Sequence, residues 1–197
     1  MKQLFRQLLP GVRAVALFTI LLGVAYPLLV TGVAQLVFPS QANGSVIEVG
    51  GRQASTHLAQ RFEGPQWLQP RPSQARNSSD PDDPGWNGLY SGASNLGPNS
   101  SDLLAQVQQR RVEIAAANGV RPDQVPADAL TASASGLDAD ISPAYAELQV
   151  NRIAAARGVP ADTVRTAVLA GTRQRPLGFL GEPTVNVVEV NAALARG

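Results

Sequence analysis

The sequence has no cysteine and a single histidine, His57, among its 197 residues. The first absence excludes thiol catalysis, thiolate metal sites and disulfides. The second excludes a His-cluster metal centre and leaves a histidine-based triad only His57 to use. Lysine is nearly as scarce, since of sixteen basic residues only Lys2 is a lysine. Schiff-base and Ser–Lys chemistry is therefore excluded from the body of the chain. Charged residues make up 16% against 44% hydrophobic ones, which is low for a freely soluble protein. A net charge of +1 lacks the basic surplus of a dedicated nucleic-acid binder, so no nucleic-acid partner is expected. There is no phosphate-binding G-x-x-x-x-G-K-[ST] loop, and no G-x-G-x-x-G follows a strand. The 18 glycines and 15 prolines are too few for a collagen-like or fully disordered chain.

What charge there is lies unevenly. Lys2, Arg6 and Arg13 precede residue 14, and no acid occurs before Glu48. From residue 40 onward thirteen arginines face fifteen acids, a balance of −2. Between these regions Ala14 to Phe38 runs 25 residues without a charge. As a helix it spans about 37 Å, enough to cross a bilayer core of about 30 Å with some tilt. Ser40-Gln41-Ala42 imitates a signal-peptide cleavage site. However, a cleavable signal has an apolar core of only about 7–15 residues, so length favours a retained anchor. Pro27 falls mid-span, where membrane helices tolerate it. The basic flank predicts a single-pass protein of the plasma membrane, for a bacterium the inner membrane. Residues 1–13 are then cytoplasmic, 14–38 transmembrane, and 39–197 one extracytoplasmic domain.

The exported part reads as α+β, with short strands and three to four helices. Val46–Val49 is a strand candidate followed by a Gly50-Gly51 turn. Ser55 or Thr56 is placed to cap a short helix through Leu58 and Phe62. Residues 64–100, with Pro65, Pro70, Pro72, Pro81, Pro84 and Pro98, form a long irregular stretch, of a kind often functional or ordered by a partner. Ser100 or Ser101 caps a helix with Leu103, Leu104, Val107, Val112 and Ile114 on a helical period, closed by Gly119. Residues 120–141 read as loop. Ser142-Pro143 opens a helix to Gly158, and Val159–Asp162 starts another ending near Gly171. Val185–Val190 reads as a strand. The segments 116–125 and 155–164 echo each other at two alanines, a glycine, two valines and an aspartate. Solenoids need at least three repeats, so the echo reads as two similar helix ends.

Acids cluster at Asp80, Asp82 and Asp83 and at Asp138 and Asp140. Oxygen-rich loops hold hard cations, but neither run has EF-hand spacing and aspartate is an ordinary turn residue. No metal ligand and no catalytic residue is assigned. Segments 91–99 and 131–138 combine Gly, Ser, Asn and Thr. These types suit a surface that another backbone approaches closely, but first of all turns whose side chains bond back to the backbone.

The residues resemble a known family. S-G-A-S-N-L-G-P at 91–98, R-P-S at 71–73, T-A-S-A-S-G-L-D at 131–138, I-S-P at 141–143, Q-V-N-R-I-A at 149–154 and G-E-P-T-V-N-V at 181–187 are similar, in this order, to the C subunit of the Kdp potassium-transporting ATPase (KdpC). The chain departs from the family at Ala139-Asp140, where Pro-His is usual. The resemblance implies a non-pumping accessory subunit of an ATP-driven, high-affinity potassium uptake complex. Its implied partners are a channel-like K⁺-translocating subunit, a P-type ATPase subunit and a small membrane peptide. It also implies a stabiliser of assembly and a catalytic chaperone that raises the ATP affinity of the ATPase subunit, with Gln149 at nucleotide. No cofactor is expected beyond ATP acting through the complex. One membrane helix cannot enclose an ion path, and the Asp-Lys-Thr-Gly-Thr motif of P-type ATPases is missing. Arg71, Ser94, Asn95, Gly97, Ser135, Gly136, Asp138, Gln149, Arg152 and Asn186 are the expected partner-contact or structural residues. A membrane-anchored hydrolase of the cell envelope is the alternative reading.

Overall fold

The computed structural model describes residues 2–197. They divide into two compact units, one ending at Ser45 and one spanning Val46–Gly197.

The first unit is a nearly continuous helix. It comprises α1 (Lys2–Ile20), a π-helical turn (Leu21–Ala25) and α2 (Tyr26–Val37), followed by the single turn α3 (Pro39–Ala42). The stretch from Leu8 to Val37 is 30 residues long and reaches a mean hydropathy of 2.2 over 18 residues, about 45 Å of helix in all. The π-helical turn has a local cause. Pro27 offers no N–H to the carbonyl four residues earlier. Widening the turn just before it accommodates the interrupted ladder.

The second unit begins with an antiparallel hairpin, β1 (Val46–Val49) against β2 (Arg52–Ser55). Its turn is Gly50-Gly51, with φ of 57° and 82°, the left-handed pair that a two-residue hairpin demands. The helix expected from Ser55 does not form. Ser55 is paired to Val46 at the end of β2, and its Oγ accepts the His57 N–H at 3.2 Å, so the capping group is used in a local turn.

Residues 56–100 carry no helix or strand. Helix α4 (Ser101–Asn118) then starts at the N-cap Ser100, whose Oγ accepts the Leu103 N–H at 3.4 Å. Its apolar stripe is narrower than expected. Leu103, Val107 and Ile114 are half-buried, while Leu104 and Val112 are 59% and 62% exposed. Residues 120–141 are more regular than their composition suggests. They hold a 3₁₀ turn (Pro122–Gln124), α5 (Ala127–Leu130) and β3 (Asp140–Ile141). Helix α6 (Pro143–Arg157) follows its N-cap Ser142, and α7 (Ala161–Ala170) leads to β4 (Thr172–Arg173). The echo at residues 116–125 and 155–164 marks two equivalent helix stops. Gly119 and Gly158 have φ of 65° and 67°, and the next N–H bonds back to Ala115 and Ala154 at 3.0 and 3.1 Å.

The second expected strand is cut short. Only β5 (Thr184–Asn186) is extended, and Val187–Arg196 form α8. Asn186 makes the switch, its Oδ1 accepting the Glu189 N–H at 3.0 Å as an N-cap. Each valine costs at most about 0.7 kcal/mol in helix propensity. Val187, Val188 and Val190 are fully buried, and burial of each contributes roughly 1.5–3 kcal/mol, so packing overrides β preference. A three-stranded antiparallel sheet, β3-β5-β4, backs this helix. Gly171 allows the close approach, because a Cβ there would lie 2.6 Å from Val190 Cγ2. The core joins Leu68, Val150, Ile153, Val164, Val185, Val187 and Val190.

Candidate functional site

The irregular segment poses a problem of unpaired backbone, because buried carbonyls need donors. From Pro65 to Gln69 the chain lacks a ladder, and donors come from side chains on α6 and α8. Arg152 Nη1 donates to the Pro65 carbonyl, and to that of Trp67 at 3.1 Å. Arg157 Nε donates to Gln66 at 2.8 Å. Asn191 Nδ2 donates to Leu68 at 2.9 Å, and Gln149 Nε2 to Gln69 at 3.1 Å. Five successive carbonyls are thereby satisfied. The two amides also accept: Leu68 N–H reaches Asn191 Oδ1 and Gln69 N–H reaches Gln149 Oε1, both at 2.8 Å. Each side chain replaces a neighbouring strand for one residue. Leu68 drops into the core between these clasps, fully buried.

Gln149 and Arg152, three apart on α6, face the same way. Arg152 Nη2 donates to Gln149 Oε1 at 2.6 Å, and its Nε to Asn118 Oδ1 at 2.9 Å. Gln149 is 1% exposed. Burial lowers the Arg152 pKa, yet a guanidinium stays charged, and these bonds replace its water shell. Arg157 also donates to Leu194 O at 2.7 Å and lies over the Trp67 ring, 4.7 Å from its centroid.

A second knot joins the polar loops. Arg71 pairs with Asp138 at 3.0 Å. Ser73 Oγ donates to the Gly136 carbonyl at 2.6 Å and accepts the N–H groups of Ala75 and Trp86 at 3.0 and 2.9 Å. The Ser135 carbonyl accepts from Gly92 N–H and Ser91 Oγ at 2.8 and 3.1 Å. Gly136 has φ 68°, and a Cβ there would meet Ala75 N at 2.6 Å and Gly92 O at 2.7 Å. Arg71, Ser135, Gly136 and Asp138 therefore form one cluster. Asn186 stands apart from it, fully buried, with Nδ2 donating to Thr56 O and Asp140 Oδ1, each at 2.8 Å. Ser94, Asn95 and Gly97 are not drawn in. Ser94 Oγ accepts the Leu96 N–H at 3.4 Å, Asn95 takes φ 53°, and Gly97 faces open space.

The acidic loops are turn caps. Asp83 accepts from Asn77 N–H, Gly85 N–H and Asn87 Nδ2 at 2.8–2.9 Å. Backbone donation from Asn77, then from Gly85, lowers its pKa. No group of three metal-ligating residues occurs among the described residues.

Beside the Gln149–Arg152 pair opens a cavity of about 690 Å³ between α4, α6 and the irregular segment. Residue types alone did not point to Asn191, Arg157 or this cavity. A signal for Asn191 existed: it is a lone amide on the period of Val187, Val190 and Leu194.

One long apolar helix joined to an α+β domain, whose buried Gln149, Asn186 and Asn191 side chains are engaged within the domain, describes a protein with a single helical membrane anchor. A family described as "KdpC: K+-transporting ATPase, c chain" matches residues 8–196. A potassium-transporting ATPase KdpC subunit from Kineococcus radiotolerans is 50% identical over 192 residues, covering 97% of this chain and 94% of its own. One from Beijerinckia indica is 46% identical over 186 residues (94% and 91%), and one from Mycobacterium tuberculosis 42% over 193 (97% and 98%). The chain belongs to the KdpC family, and is thus a non-catalytic subunit of the Kdp potassium-transporting ATPase, anchored by one N-terminal apolar helix. That membership sets aside the alternative of a cell-envelope hydrolase.

Proposed function

We propose that the chain works by docking: a single-pass subunit, with residues 39–197 outside the cytoplasm, that stabilises the assembled uptake complex. Its partners are the channel-like subunit, the P-type ATPase subunit and the small membrane peptide. Any rise in ATP affinity is an indirect result of that docking. The observation that carries this reading is the commitment of Gln149. Both its amide oxygen and its amide nitrogen are engaged by Gln69 and Arg152, so direct nucleotide contact requires dismantling the clasp. The basic flank of Lys2, Arg6 and Arg13 supports the same topology, which separates the domain from cytoplasmic ATP.

The second reading is direct contact with nucleotide, favoured by the position of Gln149 and Arg152 on the wall of the cavity. A reporter fused after Gly197 separates the two. Under the docking reading, a reporter that matures only outside the cytoplasm is active, and one that needs the cytoplasm is silent. The opposite pattern overturns the topology and restores the direct role.

A further inference from the structure

The cavity beside α6 is of a size that suits a small ligand, and such sites are commonly 300–1,000 Å³. Its walls are largely apolar, from Pro70, Pro72, Trp86, Ile114 and Ala117. Its polar groups are unbalanced. Tyr145 lines it while only 4% exposed. The Tyr145 hydroxyl has no hydrogen-bond partner among the described residues, and it is not among the atoms sealed inside the protein. A hydroxyl that no protein group engages and that is not sealed off can donate to an occupant of the cavity. Arg110 and Arg152 also line the cavity. Neither makes an ion pair among the described residues. Arg110 donates to Leu130 O at 2.9 Å and to Gln106 Oε1 at 3.2 Å. Three of its five N–H groups remain for a ligand. Against these donors stands one acid, Glu113 on the wall, which already accepts from Gln109 at 2.8 Å.

We propose that this cavity binds a small amphipathic carboxylate, with an aromatic body between Trp86 and the prolines and the carboxylate facing Tyr145 Oη and Arg110. The donor surplus selects an acceptor, and a single negative charge answers the excess cation. The apolar walls, the Trp86 indole among them, suit a ring. Burial pushes the Tyr145 pKa up to about 12, so the phenol remains a donor throughout the physiological range. A polyphosphate fits this pocket poorly, because most of its wall offers nothing to further charge.

The test uses the full-length chain in detergent, titrated calorimetrically with 3-phenylpropionate. Saturable one-to-one binding is expected, with the neutral 3-phenylpropanamide at least about tenfold weaker, as for a lost charged hydrogen bond. Tyr145→Phe removes only the free hydroxyl. It should melt close to the wild-type temperature yet bind about tenfold more weakly. Ala117→Trp, at an exposed position on α4, should block the cavity and abolish binding. Equal affinity for acid and amide, wild-type affinity in either variant, or no saturable heat overturns the proposal, as does displacement of the probe by ATP. Assembly of the Ala117→Trp chain with its partners is scored separately, so failure here leaves the docking reading standing.

Discussion

Replacing Gln149 by alanine separates a clasp from a nucleotide contact. The substitution removes two hydrogen bonds to Gln69 and one from Arg152. A net contribution of about 1 kcal/mol per bond gives about 3 kcal/mol, and an unsatisfied buried group raises the figure. Water reaching Gln69 from the adjoining cavity lowers it. The expected loss is therefore about 2–3 kcal/mol. For a domain of this size that corresponds to a fall in melting temperature of roughly 4–12 °C. Thermal unfolding of the full chain gives the first number. The ATP dependence of potassium-stimulated ATPase activity in the reconstituted complex gives the second. The clasp reasoning expects lower stability, with an unchanged ATP requirement in whatever complex remains. An unaltered melting temperature joined to a raised ATP requirement refutes it, and would place Gln149 at nucleotide.

Two further outcomes follow from the loops. Gly136→Ala forces a Cβ to within 2.6 Å of Ala75 N at a φ of 68°. It should cost on the order of 1–3 kcal/mol, whereas Gly97→Ala, with nothing within 4 Å, should leave the melting temperature unchanged within about 0.5 kcal/mol. Asp83 has a depressed pKa, chiefly from the Asn77 and Gly85 N–H groups. Its contribution is complete above its unfolded value of about 3.9 and fades as pH falls through its lower folded value. Asp83→Asn should flatten the stability profile in that acid window and nowhere else, measured by melting temperature against pH.

Elements with local punctuation were legible from the sequence. Ser100 and Ser142 announced α4 and α6, the glycines at 119 and 158 announced their ends, and Gly50-Gly51 announced the hairpin. The errors came where tertiary burial outweighs local preference. Val187, Val188 and Val190 are β-formers held in α8 because they are wholly buried there. Ser55 had a capping side chain, but strand pairing with Val46 took its backbone first. At the candidate site, Gln149 and Arg152 stood out by resemblance. Their partners did not, because Pro65–Gln69 lies 80 or more residues earlier and contributes carbonyls, which every residue type possesses. Backbone acceptors leave no mark in a sequence. The cavity is equally silent there, being defined by what several distant segments leave empty.

The clasp at Leu68 also sets an order of events during synthesis. Leu68 and Asn191 are separated by 123 residues, which a ribosome adding 5–20 residues per second takes roughly 6–25 s to make. The α6 donors Gln149, Arg152 and Arg157 are made first and can hold four of the five carbonyls, so late in that interval it is Leu68 whose carbonyl and N–H still await Asn191. A chain arrested before Asn191 therefore lacks the Leu68 clasp, with the α6 clasps on either side already available. The proline-rich segment is thus secured in two stages, first by α6 and then, at its most buried residue, by α8.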